Sequence, residues 1–283
     1  MNRRSFITTI TAAVGGLAGA GRIEAQRAGD RRFQLGCVTY NLLQDMDLEA
    51  LILTLEAAGI AAVELRTGHK HGVEPVMGAA ERVRVRERFA RSKVRLLSYG
   101  TTCEFQSPDA AERSKQVETG KSFVDLAKDT GALGVKVRPN GLPNGADYGT
   151  TIRNIAGGLR ELGEYGQAKG VEIWMEVHGR GTQEPKTAAE ILGAAAHKNV
   201  GACWNSNPTD VKDGSVKQSF DLLRPYLRSA HINELYSSYP WREFFRLLRE
   251  SGYDRYTLAE VPESKEPQRF LKYYKALWMQ LTA

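Results

Sequence analysis

Beyond Arg32 the chain repeats one unit about every 30 residues: a short apolar or β-branched run, then a longer stretch with apolar residues at i, i+3, i+4 and i+7. The short runs are Phe33 to Tyr40, Ala61 to Arg66, Val94 to Tyr99, Gly134 to Arg138, Val171 to His178, Val200 to Asn205, Ser229 to Asn233 and Tyr256 to Val261. Between them lie stripes of helical period. Leu48, Leu51, Ile52 and Leu55 form one, and Ile152, Ile155, Leu159 and Leu162 another. Trp241, Phe244, Phe245 and Leu248 form a third, and Phe270, Tyr274, Leu277, Trp278 and Leu281 a fourth. The segment from Pro108 to Thr130 is read as a further, long helix. Strands that are apolar almost throughout, each separated from the next by a helix, predict a parallel sheet covered on both faces. Eight such units match the single-domain α/β architecture of about 250 residues known as the (β/α)₈ TIM barrel. An open dinucleotide-binding sheet is disfavoured, because no Gly-x-Gly-x-x-Gly follows the first strand and no phosphate-cradling loop appears.

Composition changes this picture only at the N-terminus. Of 283 residues, 42% are hydrophobic and 25% charged, enough apolar material for a large core and too much for a disordered chain. Residues 1–27 differ: Arg3 and Arg4 precede an apolar, small-residue run from Ile7 to Ala20. That run is too short for a stable membrane span, which needs about 20 apolar residues. Asn2-Arg3-Arg4-Ser5-Phe6-Ile7 resembles a twin-arginine signal. The resemblance implies engagement with the twin-arginine export machinery, a periplasmic location, and a site loaded before export. The barrel is then residues 28–283. The net charge of +6 comes from 39 Lys and Arg against 33 Asp and Glu, and removing residues 1–26, with Arg3, Arg4, Arg22 and Glu24, lowers it to +4. No dense basic block remains, which argues against nucleic acid as a partner. Cys37, Cys103 and Cys203 have neither zinc-knuckle nor redox spacing and read as small buried hydrophobes.

In a barrel of this kind the strand C-termini build the active site, so polar residues there need an explanation beyond packing. Carboxylates and imidazoles fall at the ends of strands five to eight, and Glu176, His231 and Glu260 point into one mouth, with Asn205 between them. Two carboxylates, an imidazole and an amide suit a divalent cation such as Mn²⁺, Mg²⁺, Co²⁺ or Zn²⁺. The alternative is pairing of Glu176 and Glu260 with Lys136, Arg138 or Arg66.

Four segments carry a family resemblance: Trp174-Met175-Glu176-Val177-His178-Gly179, Ala202-Cys203-Trp204-Asn205, Ser229-Ala230-His231-Ile232-Asn233-Glu234 and Leu258-Ala259-Glu260-Val261. The chain resembles the xylose isomerase-like TIM barrels, which include sugar phosphate isomerases, ketose 3-epimerases and inosose dehydratases. The resemblance implies metal ligands at Glu176, Asn205, His231 and Glu260. Position 205 departs from the pattern, since the family has Asp or His there. Asn205 removes a negative charge, so either the amide ligates weakly or Asp210 or a water replaces it. The resemblance further implies proton transfer next to a carbonyl, with Glu176 and Glu260 as the two carboxylates. His178 lies on the same strand face and is assigned to proton movement or hydrogen bonding. Glu64, Lys136, Arg138, His69 and Trp204 are assigned to the carbohydrate substrate, Trp204 as an apolar platform for a ring. Export and the lack of a Gly-rich phosphate cup favour an unphosphorylated sugar or keto-sugar. The leading expectation is a metal-dependent isomerase or epimerase. The alternatives are a lyase or hydrolase of 3-keto-glycosides, or an exported carbohydrate-binding protein without catalysis. Self-association as a homo-oligomer is left open.

Overall fold

In the computed structural model, which describes residues 32–283, each predicted run overlaps a strand. The export segment expected in residues 1–27 lies outside the described residues. The strands are β1 (Gln34–Val38), β2 (Ala62–Arg66), β3 (Arg95–Gly100), β4 (Gly134–Val137), β5 (Glu172–Glu176), β6 (Val200–Asn205), β7 (Leu227–Ile232) and β8 (Tyr256–Ala259). They pair in parallel, each with its chain neighbour, and β1 pairs with β8 to close the barrel. Around them run α1 (Leu48–Ala58), α2 (Ala79–Ala90), α3 (Ala110–Thr130), α4 (Tyr148–Lys169), α5 (Pro185–Ala195), α6 (Lys217–Leu223), α7 (Trp241–Glu250) and α8 (Pro267–Thr282). Asp47, Asp109 and Asp147 start α1, α3 and α4, each accepting a first-turn backbone N–H that the helix itself leaves unpaired.

The main core lies between strands and helices. Leu51, Ile52 and Leu55 of α1, Leu159 and Leu162 of α4, and Phe244 and Phe245 of α7 are fully buried there. Truncating one of these phenylalanines to Ala would cost about 3–5 kcal/mol, because the cavity left behind does not close. The last helix corrects the predicted stripe. Leu271, Tyr274 and Trp278 are buried, whereas Leu277 is 39% exposed. No helix among the described residues is long and apolar enough to cross a membrane.

A smaller apolar cluster fills the barrel interior: Val38, Ala62, Leu97, Trp174, Cys203 and Leu258. Strand residues alternate between faces, so the positions two residues further along β2, β5, β6 and β8 also point inward. Those positions are Glu64, Glu176, Asn205 and Glu260. The same alternation turns Trp204 outward. It is 1% exposed and packs on Phe220 and Phe244, with ring centroids 6.2 and 5.0 Å away. Trp204 is therefore a core residue, and the expected platform for substrate is not formed by it. The three cysteines are buried and unpaired.

Candidate active site

One layer above the apolar plug, β2, β4, β5, β7 and β8 deliver charged side chains into the same space. His231, 1% exposed, is at its centre. Its Nε2 lies 3.3 Å from Glu64 Oε1, and its Nδ1 lies 3.6 Å from Glu176 Oε1 and 3.4 Å from Glu260 Oε2. None of these approaches is a hydrogen bond: both ring nitrogens and Glu64 Oε1 are buried without a partner. Ser98 Oγ holds the other oxygen of Glu64 at 2.8 Å. Lys136 Nζ donates to Glu176 Oε2 at 2.5 Å, with both side chains almost completely buried.

The electrostatics follow from these contacts. Burial would raise the carboxyl of Glu176, but Lys136 and His231 outweigh it and hold the group well below the usual carboxylate range. Glu64 is likewise held low by His231, Lys136 and Ser98 against the effect of burial. Burial would lower the Lys136 ammonium, yet Glu176, Glu64 and Glu260 together raise it. Burial pushes the His178 imidazole below its usual range, against the pull of Glu176.

Space for the Glu64 side chain depends on Gly100 at the end of β3. A Cβ there would sit 2.7 Å from Glu64 Oε1, closer than two such atoms pack. The β2–β3 pairing also shifts register between Val63 and Glu64, which brings Ser98 opposite Glu64.

A cavity of about 400 Å³ opens above the cluster. Glu176, Glu260, His178, Asn205, Lys136 and Arg138 line it, together with Arg66, Tyr40 and Asn41. Of the residues expected to meet substrate, Lys136 and Arg138 are thus in the wall. Glu64 is not: it is 0% exposed and stands behind His231, so it supports the imidazole. His69 lies outside the lining residues, with Nδ1 2.8 Å from Thr39 Oγ1 and its ring stacked on Tyr40. Burial, with the charges of His71 and Arg66, pushes His69 down to about 4. Asp210, the alternative ligand, is engaged elsewhere: its Oδ2 accepts from Asn207 N–H at 2.8 Å and from Tyr239 OH at 2.9 Å. Asn205 is in the wall, its amide donating weakly to Asn207 Oδ1 at 3.5 Å. Ser98 carries no signal in the sequence, because a lone serine in a strand says nothing until the register is known.

The donor set suits a divalent cation. One atom each of Glu176, His231 and Glu260 lie within 4.8 Å of one another, and the imidazole nitrogen among them has no other partner. Glu64 stands 3.3 Å from the far nitrogen, on the side from which carboxylates orient metal-bound imidazoles. The pairing of Glu176 with Lys136 is present as well, but it uses Oε2 and leaves Oε1 facing His231.

A model of the family described as xylose isomerase-like TIM barrel matches residues 52–277. No curated protein matches the sequence. Among solved structures, L-ribulose 3-epimerase superposes with a TM-score of 0.73 at 15% identity, over 88% of this chain and 94% of that one. The 3-keto-D-glucoside 4-epimerase YcjR from E. coli gives 0.72 at 11% identity, over 88% and 99%. The IOLI protein with a bound zinc atom gives 0.72 at 16% identity, over 88% and 96%. At these identities the likeness is one of fold.

Proposed function

Because the chain belongs to the xylose isomerase-like TIM barrel family, we propose that it is a divalent-metal-dependent isomerase or epimerase of an unphosphorylated sugar or keto-sugar. The observation that carries this reading is the convergence of Glu176, His231 and Glu260 on one point at the cavity floor, with an imidazole nitrogen left unpartnered there. These three, with Asn205 beside them, would hold a divalent cation, whose chemistry there would be Lewis-acid polarisation of a substrate carbonyl.

The remaining work falls to the chain's own groups. Glu260 is the least buried of the three acids, with 24% side-chain exposure at the cavity edge, and takes the proton from the carbon next to the carbonyl. Glu176 is held ionised by Lys136, which lowers its basicity and suits it to binding more than to carrying a proton. His178 returns the proton: neutral at rest because of burial, it takes up a proton from solvent at its unpartnered Nδ1 and, as the imidazolium, gives it to the carbon from the cavity wall. The similarity to structures of a ribulose epimerase and a keto-glucoside epimerase supports this class of substrate. The paired Arg3 and Arg4 before an apolar run support a reaction carried out after twin-arginine export.

The test is solvent exchange. With Mn²⁺ in D₂O, a panel of unphosphorylated ketoses and 3-keto-glucosides is followed by NMR, and deuterium is expected at the carbon beside the carbonyl of at least one. One equivalent of Mn²⁺ is expected to bind, and His231→Ala to abolish that binding. A protein that neither exchanges any of these protons nor binds a divalent ion is not an enzyme of this kind.

A further inference from the structure

We propose that the sugar taken by this site carries a carboxylate, and that Arg66 and Arg138 in the cavity wall bind it. The inference rests on the sugar-isomerase reading above and names its substrate class. Arg66 ends β2 two residues beyond inward-facing Glu64, and Arg138 follows β4 two residues beyond inward-facing Lys136, so pleating aims both toward the mouth. Both line the cavity.

The charges there pair off unevenly. Three cations, Arg66, Lys136 and Arg138, share the wall with two carboxylates, Glu176 and Glu260, and the third acid, Glu64, is buried beneath them beside His231. Lys136 is bound to Glu176, and Glu260 lies against His231. The guanidiniums are left without an acid of their own at hydrogen-bonding distance. The side chain of Arg66 donates to the carbonyl of its neighbour Thr67 at 3.2 Å and lies 6.0 Å from the centre of the Tyr40 ring. Arg138 has a loose ion pair with Glu104 Oε1 at 3.8 Å, beyond hydrogen-bond reach, and its buried Nε has no hydrogen-bond partner. The other oxygen of Glu104 accepts from Gln106 at 2.7 Å. Burial and the like charge of Arg138 lower the Arg66 guanidinium, outweighing the opposite effect of Glu176 and Glu64. A divalent cation at the floor would add two further positive charges. A neutral sugar leaves this excess uncompensated, whereas a carboxylate removes part of it and matches the planar fork of guanidinium donors.

Carboxylate is favoured over phosphate by position. Barrel phosphate sites use the loops after the seventh and eighth strands and a helix N-terminus, whereas these arginines stand on the second and fourth.

The test compares D-fructuronate with D-fructose by calorimetry, on the full-length protein with and without Mn²⁺. The acid is expected to bind at least about tenfold tighter at low salt, and the ratio to shrink as salt rises. Arg66→Gln and Arg138→Gln are each expected to cut the ratio of the two dissociation constants by about tenfold, in line with a lost charge-assisted bond. Arg66→Lys and Arg138→Lys, which keep the charge without the fork, are expected to retain part of it, and they serve where a glutamine variant does not fold. Ratios within twofold of unity in the wild type, or unchanged in all four variants, overturn the proposal. Tighter binding of D-fructose 6-phosphate than of D-fructuronate also overturns it, in favour of phosphate. Because binding is read apart from turnover, a preserved ratio without proton exchange defeats the isomerase reading and leaves this one standing. Exchange with no preference for the acid does the reverse.

Discussion

The two ends of the barrel interior carry the same kinds of charged residue and use them in opposite ways. At the N-terminal end, Glu172 accepts from Arg255 at 2.6 Å and from the Trp174 indole at 2.7 Å, and the Arg255 guanidinium lies 5.5 Å from the Trp174 ring. One acid meets one base over an apolar plug. Gly134 makes room for that plug, since a Cβ there would come within 2.7 Å of the indole. At the C-terminal end, Glu64, Glu176 and Glu260 crowd around one histidine and one lysine, and five nitrogen and oxygen atoms of Glu64, His178, His231 and Arg138 are buried without hydrogen bonds. Buried polar groups in proteins are normally satisfied, and the exceptions concentrate where a ligand is to supply the partner. Charge at a strand end is therefore not itself a mark of function. The unfilled valence is.

The sharpest break in the comparison is expected from Glu260→Gln. Loss of a positioned proton acceptor commonly costs about 10²- to 10⁴-fold in rate, and proton exchange into substrate should fall at least that far. Glu260 is partly exposed, so the melting temperature should hardly move. Wild-type exchange in this variant would remove Glu260 from the proposed role.

Next in size is Lys136→Met. Removing one partner of a buried ion pair leaves the other charge uncompensated, at a cost of about 3–5 kcal/mol. Denaturant unfolding of metal-free protein should show that loss. Mn²⁺ should recover much of it, because the Glu176 carboxylate then again has a cation beside it. A metal-independent loss would show that Lys136 is structural and has no bearing on the metal site.

The strands and the site layer were legible in the sequence for the same reason. Strand-length apolar runs ending in Glu176, Asn205, His231 or Glu260 fix both the fold and the side on which those residues emerge, since period two leaves no freedom in the direction of a side chain. Trp204 was misread because alternation was not applied to it: with Asn205 inward, its neighbour has to face the helices. Glu64 was legible as a strand-end acid but not as the support of His231, which depends on a register shift and on space beside Gly100. Helix α2 left no stripe to read, as only Val85 and Phe89 are buried among its arginines and glutamates. In α8 the stripe holds at Tyr274 and Trp278 but takes in Leu277 and passes over Leu271, because the two are equally apolar and neighbours decide which of them is covered.

Asp210 tests the same contrast through pH. It is 1% exposed with hydrogen-bond donors but no cation beside it, and burial pushes its carboxyl up to about 7 from an ordinary 3.8. With the folded value above the unfolded one, the folded protein holds the extra proton between those two values. The stabilisation is therefore complete below about pH 4 and is lost as pH rises through about 7. Its full size is at most about 4 kcal/mol, from 1.36 kcal/mol per unit. Asp210→Asn should flatten the fall in stability between pH 5 and pH 8. An unchanged pH profile would mean that another group sets it.

The smallest effect is expected at the opposite end. In Arg255→Met the partner Glu172 keeps the Trp174 indole as a donor, and both ionic side chains are already partly in water, 20% and 26% exposed. A pair of this kind is worth about 1 kcal/mol or less. Chemical denaturation should register a loss of that order, insensitive to divalent metal, with Mn²⁺ affinity and substrate proton exchange unchanged. A loss as large as that of Lys136→Met would mean that the closed end stores as much electrostatic energy as the open one. Unsatisfied polar atoms, and not the strength of the ion pairs, would then be the only physical distinction between the two ends.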